Sequence, residues 1–195
     1  MDKKKVESNY EAIESGEIVV LMEDEIHLCH GDISGYVWGK RNEAIEVKMT
    51  NQRDRQSYYG VLNSLIGRID VQEQPYGNGQ CTVAFLKELP KWYPNAKQFW
   101  ILWDNASYHR SKEVKDYLAI VNKDLPENEW FITCIGFATN APEQNPIEDV
   151  WLKGKNFIRK NFAIIDTFKQ AKQAFLSFYD DLNVYFNKFK WYGFK

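Results

Sequence analysis

The chain has 195 residues, of which 44% are hydrophobic and 15% aromatic, enough to bury the core of one domain. Its charged N-terminus is not followed by an apolar segment, and no run approaches the roughly 18 residues of a membrane span, so we expect a soluble, cytoplasmic protein. Three widely spaced cysteines without a Cys-x-x-Cys pair argue against a disulfide framework and against a cysteine-based zinc site.

Charge is divided unevenly along the chain, although the formal net charge is only −2. Residues 150–195 hold nine Lys or Arg against three Asp, a charge of +6, which leaves −8 for residues 1–149. The acidic part can supply metal ligands, and the basic part can supply contacts to phosphate. A solvated basic face without a ligand explains the charge alone equally well.

The first half of the chain predicts a meander of strands. Residues 1–16 form a polar N-terminal segment, and the folded domain is expected over 17–195. The β-branched and apolar run 17–25 predicts a strand with Asp24 near its end. Alternating polar and apolar residues then predict antiparallel strands over 44–49 and 58–65, and a short strand follows over 68–74.

The second half alternates helices with strands. A helix is predicted over 82–92, and the apolar segment 98–104 predicts a central strand with Asp104 at its carboxyl end. The remaining predicted elements are a helix capped by Ser111, a strand over 130–135, a helix capped by Asn145 that runs to about Lys160, and a last helix over 166–186. This order predicts an α/β fold, a mixed sheet with helices on its faces.

The last predicted helix carries an apolar stripe at three- and four-residue steps. Its members are Phe168, Ala171, Phe175, Phe178, Leu182 and Phe186. Such a stripe is typical of a helix that docks onto the core of its own domain, and a dimer contact is the alternative.

Three acidic residues are candidates for a catalytic metal site: Asp24, Asp104 and Glu148. Phosphodiester hydrolysis with two metal ions needs carboxylates that converge from different elements. The two aspartates come from strands, and Glu148 lies in the first turn of a helix, where the helix dipole favours its ionised form.

Each acid has an ordinary structural explanation as well. Glu148 stands three residues after Asn145, the spacing of a capping box, and Asp104 with Asn105 fits turn chemistry after a strand. Glu23 and Glu25 compete with Asp24 for the role of ligand. Only the set of three together favours a metal site.

Two sequence blocks carry a resemblance to a known family. The first is Asp104-Asn105-Ala106-x-x-His109, and the second is Ala141-Pro142-Glu143-x-Asn145-Pro146-Ile147-Glu148-Asp149-x-Trp151. With the segment Met22–Glu25 they resemble the catalytic core of DDE transposases of the mariner superfamily, in its bacterial insertion-sequence branch. The resemblance covers roughly residues 17–160. It implies a ribonuclease H-like fold in which Asp24, Asp104 and Glu148 are the catalytic metal ligands.

The resemblance also implies a function, cofactors and partners. It implies DNA strand cleavage and strand transfer during transposition, with Mg²⁺ or Mn²⁺ as the cofactor, expected as two ions. The expected partners are transposon-end and target DNA, with a homodimer when the protein is assembled on DNA. Members normally carry an N-terminal helix-turn-helix region, which is expected here to be encoded separately. The alternatives are an inactive remnant that only binds DNA or dimerises, and a ribonuclease H-like nuclease without transposition.

Four residues near these acids are candidates for contact with DNA. Lys155 and Arg159 follow Glu148 at i+7 and i+11 and therefore share its face of the helix, where a phosphate backbone can run. Solubilising cations on an exposed face are the alternative. His109 and Asn105 follow Asp104 closely enough to lie near the site, although a loop histidine without a role fits the sequence equally well.

Overall fold

A mixed five-stranded sheet forms the centre of the molecule. The computed structural model describes residues 3–33, 35, 40–42, 53–137 and 144–194. The strands are β1 (Ile18–Cys29), β2 (Arg55–Asn63), β3 (Ile69–Gln74), β4 (Gln98–Trp103) and β5 (Ile132–Gly136). Their order is β3-β2-β1-β4-β5, with antiparallel pairs on the β3 side of β1 and parallel pairs on the β5 side. The predicted mixed sheet is confirmed.

Helices cover both faces of this sheet. They are α1 (Lys3–Ser8), α2 (Tyr10–Glu14), α3 (Gly79–Leu86), α4 (Leu89–Trp92), α5 (Lys112–Val121), α6 (Ile147–Lys160) and α7 (Phe168–Ser177). Side chains alternate along β1, so Val20 and Met22 pack with α6 and α7, whereas Val19 and Leu21 pack with α3, α4 and α5. The two sheet faces therefore bury two separate apolar clusters, as expected for a three-layer α/β fold.

Several predicted elements are confirmed at their positions. Strand β4 ends at Trp103, directly before Asp104, and Ser111 caps α5 by accepting a hydrogen bond from the backbone of Val114. The stripe of the last helix packs against the core cluster that α6 shares. Val6 and Ile13 of the two N-terminal helices are buried in the same cluster.

Strand β1 is longer than the sequence predicts. It continues to Cys29, because β2 pairs with it from Leu21 to Cys29. Asp24 consequently lies in the middle of the strand, and the prediction that it stands near the end is wrong. The antiparallel residues that pair with the extension, Arg55–Tyr58, are 26–32 residues away in sequence, so the local pattern gives no sign of them.

Two predicted helices are shorter in the structure. The helix over 82–92 is two helices, α3 and α4, and the last helix ends at Ser177 instead of residue 186. Beyond α7, the backbone of Val184 donates to the carbonyl of Gly67, and Arg68 forms an isolated bridge with Asn183. This pairing holds the segment extended and prevents the helix from continuing. The predicted strand over 44–49 and the motif residues 141–143 lie outside the described residues.

Candidate active site

Asp24 lies on β1, and Asp104 directly follows the neighbouring parallel strand β4. The last parallel pair of β1 and β4 is Met22 with Leu102, two residues before each aspartate. Adjacent strands are about 4.8 Å apart, so the two aspartates follow the last pair side by side. Asp104 has left the sheet and its side chain is 53% exposed, whereas Asp24 is partly buried.

Helix α6 crosses the sheet beside Asp24. Gly60 is the partner of Asp24 in the β1–β2 ladder, and a Cβ atom built on Gly60 would lie only 2.4 Å from the ring of Trp151. The absence of a side chain at Gly60 therefore allows α6 to approach the strand closely. Glu148 stands in the first turn of α6, three residues before Trp151, and its side chain is exposed.

Asn145 connects the start of α6 to β1. Its buried side chain donates to the backbone carbonyl of Glu23 at 3.5 Å and accepts from the backbone N–H of Ile147 at 3.4 Å. The sequence predicts Asn145 as the N-cap with Pro146 as the first helical residue. In the structure Pro146 takes the cap position and α6 begins at Ile147. Asn145 thus fixes the helix to the strand that carries Asp24, because its amide reaches across to β1.

The charges of Asp104 and Glu148 act on Asp24. Burial raises the pKa of Asp24 well above its ordinary value, and the negative charges of Glu25, Glu148 and Asp104 raise it further. Carboxylates that repel one another in this way are stabilised in their ionised form by a cation. Carboxylate oxygens are also the ligands that Mg²⁺ and Mn²⁺ prefer, so this set fits a divalent metal ion.

A second acidic group surrounds His109 on the opposite face of the sheet. Because side chains alternate along β1, Glu23 and Glu25 point away from Asp24. The Nε2 atom of His109 lies 3.2 Å from Oε1 of Glu25 and 3.4 Å from Oε2 of Glu23. The hydroxyl of Tyr108 donates to Oε2 of Glu25 at 2.8 Å. Across the described part of the chain, Glu23, Glu25 and His109 are the set whose potential metal-ligand atoms all lie within 4.8 Å of one another.

His109 joins this group to Asp104. Its Nδ1 atom lies 3.1 Å from Oδ1 of Asp104, and its ring stacks on Trp103 with centroids 4.3 Å apart. The side chain of His109 is 1% exposed. Burial by itself lowers the pKa of His109, but the hydrogen bonds and charges of Glu25 and Asp104 outweigh it, so the pKa is raised. Burial and the neighbouring carboxylates also raise the pKa of Glu23 well above its ordinary value.

The two cations predicted to contact DNA share one acidic partner. Lys155 Nζ lies 3.1 Å from Oδ2 of Asp32, and the guanidinium of Arg159 lies 3.5 Å from Oδ1 of the same carboxylate. Asp32 stands in a short 3₁₀ helix over His30–Ile33, directly after β1. Asn105 donates to the backbone carbonyl of Phe137 at 3.1 Å and so ties the end of β4 to the segment after β5.

Asp104 and Glu148 lie close enough to Asp24 for their charges to raise its pKa, and His109 contacts Asp104 from the opposite face of the sheet. Sequence reasoning missed the contact of Glu25 with His109. The signal was present, because strand alternation places Glu23 and Glu25 on one face and Asp24 on the other. The contact itself depends on the turn after β4, which folds His109 back under Asp104.

The chain matches the model of one protein family over most of its length. The match covers residues 19–172, and the family is the DDE superfamily endonucleases. The chain belongs to this family. The match confirms the resemblance seen in the sequence, and membership implies that a divalent metal ion takes part in the reaction.

Individual relatives agree with the family match. The insertion element IS630 uncharacterized 39 kDa protein of Shigella sonnei is 24% identical over 160 residues, 82% of this chain and 44% of its own length. The Mos1 transposase paired-end complex with the left transposon end has a TM-score of 0.56 at 13% identity, covering 98% of this chain and 55% of the other. The Mos1 mariner paired-end complex with Mn has a TM-score of 0.56 at 14% identity, covering 98% and 56%.

These comparisons establish the fold as the ribonuclease H-like catalytic core of transposases. The chain spans about half the length of the relatives it matches. Among the described residues, no helix is long and apolar enough to cross a membrane.

Proposed function

We propose that this chain is the catalytic domain of a transposase, residues 17–195, which cleaves DNA strands and joins them to target DNA. The observation that carries the proposal is a partly buried Asp24 whose pKa is raised by burial and by the nearby charges of Glu25, Glu148 and Asp104, in a DDE superfamily endonuclease. Two divalent ions, Mg²⁺ or Mn²⁺, would be held by these three carboxylates. When bound, such ions activate water and stabilise the departing oxygen.

The residues of the chain supply the positions that this chemistry needs. Asp24 is rigid because it lies within a paired strand, and α6 presents Glu148 from a turn that Asn145 fixes to the same strand. Asp104 is exposed beside them, where a DNA phosphate has access. A helix N-terminus also favours negative charge, which suits both Glu148 and an approaching phosphate.

Cleavage and joining are two displacements at phosphorus. In the first, the oxygen of water bonds to phosphorus and the P–O3′ bond breaks, which leaves a free 3′-hydroxyl at the end of the element. In the second, that 3′-oxygen bonds to a target phosphorus, the P–O3′ bond of the target breaks, and the hydroxyl proton is lost to solvent while the departing target O3′ takes one up. The same three carboxylates serve both steps, because each step develops charge on the entering and leaving oxygens.

DNA is the proposed partner, as both transposon end and target, with a homodimer formed on DNA. Structures of Mos1 with transposon-end DNA support DNA as the partner of this fold. The basic C-terminal part supports phosphate contacts by Lys155 and Arg159, and Asn105 remains a candidate for the same role. A cytoplasmic protein, associated with the nucleoid when on DNA, fits this function.

The proposal is tested by replacing ligands with amides of the same shape. Asp104→Asn and Glu148→Gln should each lower Mg²⁺- or Mn²⁺-dependent nicking of supercoiled DNA at least about 100-fold, since each removes a charge that binds the cation. The matched control is Asp116→Asn on the exposed face of α5. Wild-type cutting by both variants, with unchanged unfolding temperatures, would refute the assignment. An inactive wild-type chain that still binds DNA would instead favour the inactive remnant.

A further inference from the structure

Asp104 is the more exposed of the two proposed aspartate ligands. Neighbouring groups nevertheless contact one oxygen of its carboxylate. The backbone N–H of Ala106 donates to Oδ1 of Asp104 at 2.8 Å, and Nδ1 of His109 lies 3.1 Å from the same oxygen and 3.2 Å from the backbone carbonyl of Asp104. Both contacts to the carboxylate fall on Oδ1, which leaves Oδ2 as the oxygen that a cation can approach. A metal ligand needs such fixation, because a carboxylate that rotates freely loses affinity for the ion.

His109 is itself fixed by surroundings that do not involve the metal site. Its ring lies on Trp103 at an interplanar angle of 6°, and Nε2 contacts Oε1 of Glu25. The other oxygen of Glu25 accepts from the hydroxyl of Tyr108. Glu25 belongs to the paired part of β1, so the chain of contacts begins at a rigid strand and ends at Asp104.

We propose that Glu25 and His109 form a positioning pair that orients the Asp104 carboxylate for metal binding. The proposal rests on the proposed function, in which Asp104 is a metal ligand. Neighbouring residues Asp24 and Glu25 then serve the same site from opposite faces of β1, one as a ligand and the other through His109. Hydrogen-bonded partners of metal ligands typically change metal affinity about 10–100-fold when they are removed.

The 1% exposure of His109 favours this role over the direct phosphate contact that the sequence predicts. A histidine that contacts phosphate must present a nitrogen to solvent, whereas both ring nitrogens here lie against carboxylates from the same chain. Substitution of Glu25 or His109 is therefore expected to change the affinity for metal. The affinity for DNA, measured without metal, should stay unchanged.

The test measures Mn²⁺ affinity by electron paramagnetic resonance on the folded 195-residue chain, without DNA. His109→Phe keeps the ring on Trp103 and removes both nitrogens, so it should weaken Mn²⁺ binding about 10–100-fold. His109→Asn returns an N–H donor close to the Nδ1 position and should recover most of the affinity. The control His30→Phe removes a histidine that stacks on Phe168 outside the site and should bind Mn²⁺ as the wild type does.

The outcomes separate this proposal from the proposed function. If Asp104→Asn loses Mn²⁺ while His109→Phe binds it with wild-type affinity, the positioning pair is refuted and the metal site stands. If Asp104→Asn itself retains wild-type affinity, the proposed function fails instead. A lower unfolding temperature with unchanged Mn²⁺ affinity would show a purely structural role for His109 and would also refute the proposal.

A second variant keeps the test decisive if His109→Phe does not fold. Glu25→Leu replaces the carboxylate behind His109 with an apolar side chain of similar volume, and its unfolding temperature is measured first because loss of one partner of a buried pair is destabilising. It should also weaken Mn²⁺ binding, because His109 loses its anchor. Wild-type affinity in folded Glu25→Leu would overturn the proposal.

Discussion

Asp24 is the residue at which the stability of the fold and the chemistry of the site conflict. Its pKa is raised by burial and by the carboxylates of Glu25, Glu148 and Asp104, so the folded protein resists its ionisation. The unfolded chain releases this proton at lower pH than the folded chain does. Stability is therefore present in full below the ordinary aspartate pKa and is lost as pH rises towards the raised pKa.

The expected consequence is measurable by thermal unfolding in the presence of a chelator. Asp24→Asn should unfold at a higher temperature than the wild type at pH 7–8, because the amide carries no charge to bury. The difference should shrink at pH 4, where Asp24 is protonated in the folded state. Asp116→Asn, an exposed carboxylate on α5, should show neither effect. An Asp24→Asn protein that is no more stable than the wild type at neutral pH would contradict a destabilising effect of the ionised Asp24 carboxylate.

Single residues of the site were predictable to different degrees. Local patterns predict the positions of Asp104 and Glu148. Asp104 directly follows an apolar strand, and Glu148 lies in the first turn of a helix. The place of Asp24 in mid-strand and the burial of His109 depend on the pairing with β2 and on the turn after β4, which are not encoded in local periodicity.

At the level of elements, α6 carries both Glu148, a proposed metal ligand, and the cations expected to contact DNA. Lys155 and Arg159 lie about 10 and 16 Å along the helix from Glu148, since each residue rises about 1.5 Å. Asp32 holds both cations in the structure and neutralises part of their charge. A DNA phosphate on this face would compete with the Asp32 carboxylate for the same two side chains.

Two variants of this face should change DNA binding in opposite directions. Lys155→Ala with Arg159→Ala should weaken binding to all sequences alike and flatten the slope of log affinity against log salt by about 1 per residue. Asp32→Asn should strengthen binding, because it frees both cations. Lys115→Ala on the exposed face of α5 serves as the control. An unchanged slope in the double variant, together with unchanged affinity in Asp32→Asn, would remove α6 from the DNA interface.

Elements were predictable where the chain pattern alone determines them. The cap of α5 by Ser111 and the apolar β4 are of this kind. The end of α7 is not, because the bridge between Arg68 and Asn183 overrides an apolar stripe that would otherwise continue as a helix.

For the whole molecule, the fold brings together proposed ligands that the sequence scatters over 125 positions, from Asp24 to Glu148. The parallel pairing of β1 with β4 brings the two aspartates together, and packing of Trp151 over Gly60 brings the helix to them. The mixed sheet could be predicted from the order of elements, since alternating strands and helices favour parallel pairing. The exact strand order could not, because it depends on contacts between distant segments.

Direct binding of the catalytic metal ions by Asp104 and Glu148 can be tested by a ligand-exchange measurement. Asp104→Cys and Glu148→Cys each replace an oxygen ligand with a thiolate, which the hard cation Mg²⁺ binds poorly and Mn²⁺ accepts better. DNA cleavage by each variant is then compared in Mg²⁺ and in Mn²⁺, with the wild type beside it. We predict loss of cleavage in Mg²⁺ and partial recovery in Mn²⁺ for both variants. Wild-type cleavage in Mg²⁺, or no recovery in Mn²⁺ by either folded variant, would contradict direct metal binding by these residues.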